Sequence, residues 1–151
     1  MIDGKRYLLD NNALSQVPPA DRGGAFIRSF CRMPEEVIHE AQGYPDIDTF
    51  SDLIYPTTAG VLRALQEVMA TVDPADSTLV DLFRNRGNAD PLLIACAIDA
   101  RMENAQYLFA DEWVVVSDDR AVQSKARELE VAALTSSEFL IELRSRSIRS
   151  D

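Results

Sequence analysis

The chain has 151 residues, 46% of them hydrophobic and 26% charged, with a formal net charge of −10. That length suits one domain with a real hydrophobic core. The acidity argues against a nucleic-acid coat protein, whose affinity comes from basic surface, but not against an enzyme that cuts nucleic acid, because clustered acids bind divalent cations that then contact phosphates. No run approaches the ~20 apolar residues of a membrane span, and "MIDGKRYLL" lacks the apolar core of a signal peptide, so a cytoplasmic protein is expected. Cys31 and Cys96 form no C-x-x-C pair and sit among apolar residues, which predicts reduced core cysteines. His39, the single histidine, has no partner for a metal site or a triad and reads as an exposed helix residue.

Strand and helix signals alternate, the pattern of a parallel α/β sheet in one domain spanning 1–151. Tyr7–Leu9 form a short apolar strand that stops at Asp10. Asn12–Val17 start a short helix that Pro18 and Pro19 break. Residues 21–31 place Phe26, Ile27, Phe30 and Cys31 on one helical face. In "RMPEEVIHEAQGYP", Pro34 suits a first helical turn and Glu35 and Glu36 the positive end of its dipole, while Gly43 and Pro45 end the helix. Val37, Ile38 and Ala41 form its buried face, with Glu40 at the edge. Residues 57–72, with Val61, Leu62, Leu65, Val68, Met69 and Val72, predict an amphipathic helix. Residues 77–86, with Leu79, Val80, Leu82 and Phe83 inward, predict a second, and the two read as a helical hairpin packed beside the sheet or as a lid and partner surface.

Asp90 followed by Pro91 is a helix start, with the acid as cap and the proline at the first position. Leu92–Ile98 is apolar on every side, which predicts a helix buried all round. Trp113–Val116 is a buried β-branched strand ended by Ser117, Asp118 and Asp119. Val122, Ala126 and Leu129 carry the next helix, and Val131–Leu134 a last short strand. "TSSE" (Thr135–Glu138) matches a capping box before the final helix. The basic end, with Arg144, Arg146 and Arg149, is expected to fray over 144–151.

Asp10 and Asp119 thus follow buried strands, Asp90 begins a buried helix and Glu40 lies along a helix edge. In an open parallel sheet the carboxyl ends of the strands meet at one crevice. Helix N-termini lie on that side too, so Asp10, Asp90 and Asp119 should converge. Glu40 joins them if its helix packs against the first strand. Taken singly, each acid is explained without chemistry, as a turn former, a cap or a solvated helix residue. Taken together, four carboxylates in one crevice repel unless a counter-ion is present. Mg²⁺ or Mn²⁺ removes that cost, prefers oxygen ligands and leaves positions for water and phosphate.

With these residues in place, the chain resembles the PIN-domain ribonucleases, especially the VapC-like toxins of toxin–antitoxin pairs. Their first strand ends in a D-T-N-x-L-S-like motif, here "DNNALS" (Asp10–Ser15). Their P-x-x-V-x-x-E reads "PEEVIHE" and places Glu40 at the acid. The Asp that opens their apolar helix is Asp90 in "DPLLIACA". Their strand-end T-x-D reads "VVVSDD" and places Ser117 and Asp119, with Asp118 between. The motifs occur in family order from Tyr7 to Asp119. Asn11 stands where the family has Thr, and Pro91 departs from most of the toxins.

The resemblance implies a three-layer α/β/α fold with a short parallel sheet and a helical insert. It implies Mg²⁺- or Mn²⁺-dependent hydrolysis of RNA at Asp10, Glu40, Asp90 and Asp119, a homodimer, and an antitoxin as partner. Asn12, Ser117 and Asp118 are expected to support the ligands by hydrogen bonds. Arg120, Arg101 and Arg86 are the candidate RNA contacts. Two other acid-based folds fit less well. A haloacid-dehalogenase-like phosphatase needs an acid where Asn12 stands, and a receiver domain needs a late strand-end lysine. A non-catalytic PIN-like module that binds RNA or protein is the alternative, and an α/β interaction protein whose acids are all caps is a third.

Overall fold

A computed structural model of the chain describes residues 4–72, 89–105, 107, 108 and 110–149, apart from the side chains of 89, 90 and 147–149. In β1 (Lys5–Leu9), Tyr7 and Leu9 turn to one face and Leu8 to the other. In β4 (Glu112–Val116), Val114 and Val116 oppose Val115 in the same way. All six side chains are buried, so both faces of the sheet must be covered, as a parallel sheet requires. With β2 (Cys31–Pro34), β3 (Ile54–Tyr55) and β5 (Ala133–Leu134), the described residues form a five-stranded sheet of order β3-β2-β1-β4-β5. Every pairing is parallel. The longest register runs from Lys5 opposite Glu112 to Leu9 opposite Val116.

One face carries α1 (Asn11–Gln16), α3 (Ala25–Phe30), α4 (Glu35–Glu40) and α8 (Ser136–Arg149), packed through Leu14, Ile27, Val37 and Phe139. The short α2 (Pro19–Arg22) precedes α3. The other face carries α5 (Ala59–Ala70), α6 (Ala89–Asn104) and α7 (Arg120–Glu128), packed through Val61, Leu93, Ile94 and Val122. The architecture is therefore three layers, α/β/α. Residues 91–100 of α6 are buried without exception, because the helix lies on the sheet with α5 and α7 against it. Each fully buried Leu or Ile there contributes about 1.5–3 kcal/mol. The capping box forms as the sequence predicts. The Thr135 N–H donates to Glu138 Oε1 at 2.9 Å, and the Glu138 N–H donates to Thr135 Oγ1 at 3.2 Å.

The structure departs from the sequence reading in several places. Residues 21–31 are not one helix: α2 and α3 separate at Gly23 and Gly24, and Cys31 opens β2. The helical spacing of Phe26–Cys31 hides that strand. Leu62 is 51% exposed, and the buried stripe of α5 is Val61, Ala64 and Val68. α6 begins at Ala89, so Asp90 and Pro91 lie within its first turn rather than at its cap and first position. α8 continues to Arg149 where fraying is expected from 144. There the Arg146 guanidinium lies 5.3–5.9 Å from the ring centres of Tyr7, Phe26 and Phe30, a cation–π arrangement that ties this turn to the core. The expected second helix of the hairpin, 77–86, lies outside the described residues. No helix among the described residues is long and apolar enough to cross a membrane.

Candidate active site at the carboxyl ends of the strands

The chain leaves β1 for β2 and β3 on one side and returns to β4 and β5 on the other, so the strand order reverses between β1 and β4. At such a switch point the connections diverge and leave a crevice outside the carboxyl ends of the strands. Asp10 follows β1 there and Ser117 follows β4. The Asp10 N–H donates to Val116 O at 3.3 Å, which joins the two strand ends. Five polar or charged side chains are buried among the described residues: Asp10, Arg22, Asp99, Ser117 and Ser136. Three of them, Asp10, Ser117 and Ser136, belong to this edge.

Asp10 is 6% exposed and caps α1, its Oδ1 accepting the Ala13 N–H at 2.7 Å. Burial raises its carboxyl above the ordinary range. Hydrogen bonds from Ser117 and the Ala13 N–H oppose the rise, and the charges of Asp118 and Asp119 add to it. Glu40 ends α4, and its carboxyl is also raised, first by partial desolvation, then by Glu36 and Asp10, against a lowering by His39. Asp10 and Glu40 therefore interact, across the packing of α1 on α4. Glu40 makes no side-chain hydrogen bond with any described residue, whereas the three aspartates all do.

Asp119 caps α7 through the Ala121 N–H at 2.8 Å, and its own N–H donates to Ser117 Oγ at 3.1 Å. Ser117, fully buried, thus receives the backbone N–H of Asp119 and lowers the neighbouring Asp10 carboxyl. Gln123 Nε2 holds the Ser117 carbonyl at 2.7 Å. Asp118 has another task. Its Oδ1 accepts the Ser136 N–H at 2.8 Å and its Oδ2 the Ser136 hydroxyl, which fastens the end of β4 to the start of α8.

The remaining expected residues separate. Asn12 is exposed, and its side chain bonds neither Asp10 nor Ser117; its carbonyl accepts from Ser15 Oγ at 2.6 Å. The neighbouring amide is engaged instead: Tyr44 Oη donates to Asn11 Oδ1 at 3.0 Å. Arg120 is exposed in the first turn of α7, directly after Asp119. Arg101 lies eleven residues beyond Asp90, about 16 Å along the helix, and does not share the crevice. Its Nη1 donates to the carbonyls of Leu129 at 3.4 Å and Glu130 at 3.0 Å, at the C-terminal end of α7. With Trp113, Asp111 and Glu130 it lines a cavity of about 350 Å³ at the amino end of β4, the opposite end from the acids. Arg86 and the side chain of Asp90 lie outside the described residues.

Sequence reasoning passes over Tyr44 and Ser136, since nothing near either marks a partner many residues away. It also passes over Asp99, a buried acid just after the apolar run of α6, which accepts from Tyr55 Oη at 2.7 Å. A side chain on Gly60 would overlap Asp99 Oδ1, so this glycine lets α5 approach α6. Among the described residues no three His, Cys, Asp or Glu side chains are placed to hold a metal ion as they stand. The donors at the crevice are all carboxylate oxygens, the chemistry that a hard divalent cation prefers. A scan against protein-family models found no match, and neither did a search of curated proteins.

Proposed function

We propose that this chain is a divalent-cation-dependent endoribonuclease with a PIN-like fold. The observation that carries the reading is the environment of Asp10. It is a buried carboxyl at the switch point of a parallel sheet, with the like charges of Asp118 and Asp119 acting on it and its own charge acting on Glu40. Among the described residues no basic side chain is bonded to it. A carboxylate so placed destabilises the fold when ionised, and a bound cation offsets that cost.

Asp10 and Glu40 would hold the ion and Asp119 would add a carboxylate, while Asp90 belongs to the set through the ordered motifs. Mg²⁺ or Mn²⁺ fits an all-oxygen donor set of this kind. When bound, such an ion acidifies a coordinated water and steadies charge on phosphorus, the requirements of phosphodiester hydrolysis. The chain's own part is to hold the carboxyl groups. The Ala13 N–H fixes the Asp10 carboxylate, Ser117 lowers it, and Gln123 fixes the Ser117 carbonyl. Asp118, with both oxygens on Ser136, acts in support rather than as a ligand. Arg120, beside Asp119, is the described residue best placed to meet a phosphate. The RNA substrate, the toxin role with its antitoxin, and the homodimer rest on the ordered motifs.

The test is cleavage of a single-stranded RNA panel with Mg²⁺ or Mn²⁺ by the wild type, Asp10→Asn, Glu40→Gln and Asp90→Asn. Asparagine caps a helix as well as aspartate does, so Asp10→Asn keeps α1 and removes only the charge. Activity should fall at least about a hundredfold in each variant, beyond the 10–100-fold typical of residues that merely support ligands. Equal activity in all four proteins would overturn the site. A non-catalytic PIN-like module is favoured by one observation: each aspartate with a described side chain here already accepts a backbone N–H. On that reading, calorimetry detects no Mn²⁺ binding.

A further inference from the structure

We infer that Tyr44 is a positioning residue that sets Glu40 against Asp10, acting through Asn11; the inference rests on the cation-site reading above. The two acids come from segments 30 residues apart, and each must reach the same few ångströms to share an ion. Glu40 ends α4, and the 3₁₀ turn Ala41–Gly43 continues it without a break. The Ala41 N–H bonds back to carbonyls of α4, and the Tyr44 N–H donates to Ala41 O at 3.0 Å. Tyr44, extended at φ −76° and ψ 134°, therefore caps the helical stretch that runs on from Glu40, four residues after it. From its far end the Tyr44 hydroxyl reaches Asn11, the residue after Asp10, with Oδ1 at 3.0 Å and the carbonyl at 3.3 Å. Among the described residues these are the only hydrogen bonds between 35–44 and 10–16.

The ring that carries this hydroxyl is itself held. The Arg22 guanidinium lies 5.0 Å from its centre, and the Phe50 ring meets it edge-on at 6.1 Å. Arg22 is buried and fixed in turn, with Nη1 on Asp46 Oδ1 at 2.8 Å and Nε on Val17 O at 3.1 Å. The hydroxyl is thus aimed by a cation, a ring and a carboxylate that have no contact role in the crevice. Removing the oxygen alone leaves that packing in place and releases the end of α4 from the start of α1.

The experiment uses the full chain, with Mn²⁺ as probe. Calorimetry on the wild type, Tyr44→Phe, Asn11→Ala and the double variant should show Mn²⁺ affinity lowered about tenfold by Tyr44→Phe, at the lower edge of the range for groups that orient metal ligands. Asn11→Ala keeps its carbonyl and should lose less, and the double variant should bind no more weakly than Tyr44→Phe, since both act through one link. Amide exchange across Ala41–Tyr44, measured without metal, should quicken in Tyr44→Phe while the melting temperature holds. Wild-type Mn²⁺ affinity in Tyr44→Phe, losses that multiply in the double variant, or unchanged exchange would each overturn the inference. If the wild type binds no Mn²⁺ yet exchange quickens in Tyr44→Phe, the cation-site reading fails and the link from Tyr44 to the two acids stands.

Discussion

At the carboxyl edge of the sheet Asp10 caps α1, Asp119 caps α7 and Asp118 receives the first N–H of α8. At the amino edge Arg101 donates to the Leu129 and Glu130 carbonyls that follow α7. In a parallel α/β fold each helix starts beside a strand's carboxyl end, so helix dipoles alone gather acids at one edge and favour bases at the other. The edges differ in how their charges are compensated. Arg101 is exposed, with Asp111, Glu112 and Glu130 around the same cavity. Asp10 is buried, and the charged neighbours that act on it are acids. Capping accounts for Asp118 and Asp119. It does not account for the burial of Asp10 or for Glu40, which caps nothing, and the case for a cation rests on that remainder.

Asp118 separates holding a helix from holding an ion most directly. Asp118→Ala removes both acceptors of Ser136 and should cost about 1–2 kcal/mol, the upper range for a lost helix cap, read as a lower melting temperature. Mn²⁺ affinity should change little. A drop as large as that of Glu40→Gln would make Asp118 a ligand and erase the distinction between capping and binding acids.

A smaller effect, of opposite sign, is expected from Asp10→Asn. A carboxyl raised in the folded state binds its proton more tightly there than in the unfolded chain, so it withdraws stability as pH rises from the ordinary carboxylate range through the raised value. Without metal, Asp10→Asn should therefore melt higher than the wild type at neutral pH, each 1 kcal/mol of gain reading as about 2–4 °C for a chain of this size. The gain should vanish near pH 3, where both proteins are neutral at this position. Added Mn²⁺ should raise the wild-type melting temperature and leave the variant unmoved, because only a state that binds the ion is stabilised by it. A wild type more stable than Asp10→Asn at neutral pH without metal would show that Asp10 is adequately compensated as it stands.

The smallest effect belongs to the amino edge. Arg101→Gln should cost about 0.5 kcal/mol, the scale of a solvated cation at a helix C-terminus, and should leave RNA cleavage unchanged. Cleavage that falls with Arg101→Gln would return this residue to the substrate path and remove the contrast between the two edges.

How much of this was legible in the chain depends on the range of the forces involved. Leu92–Ile98 and Val114–Val116 read correctly as interior because a segment apolar on every side has nowhere else to go. Thr135–Glu138 read correctly because a capping box joins residues three apart. β2 did not, since Cys31–Pro34 is too short for a period of two and its first residue completes a helical stripe. Of two adjacent asparagines, Asn11 rather than Asn12 is the one engaged, because successive helical positions point about 100° apart and Tyr44 lies on one side only. Asp118 and Asp119 looked alike at the end of a strand; the position of Ser136, 18 residues on, separated them.

The alternation of strands and helices, most helix starts and the candidate acids could be read from the chain alone, since periodicity and capping are local properties that a run of residues carries wherever it lies. The tertiary structure alone decided which acids adjoin, which are engaged in holding helices and which arginine faces away. Those depend on β1 and β4 lying side by side and on where each connecting helix begins, and strand order is written in no short stretch of the chain.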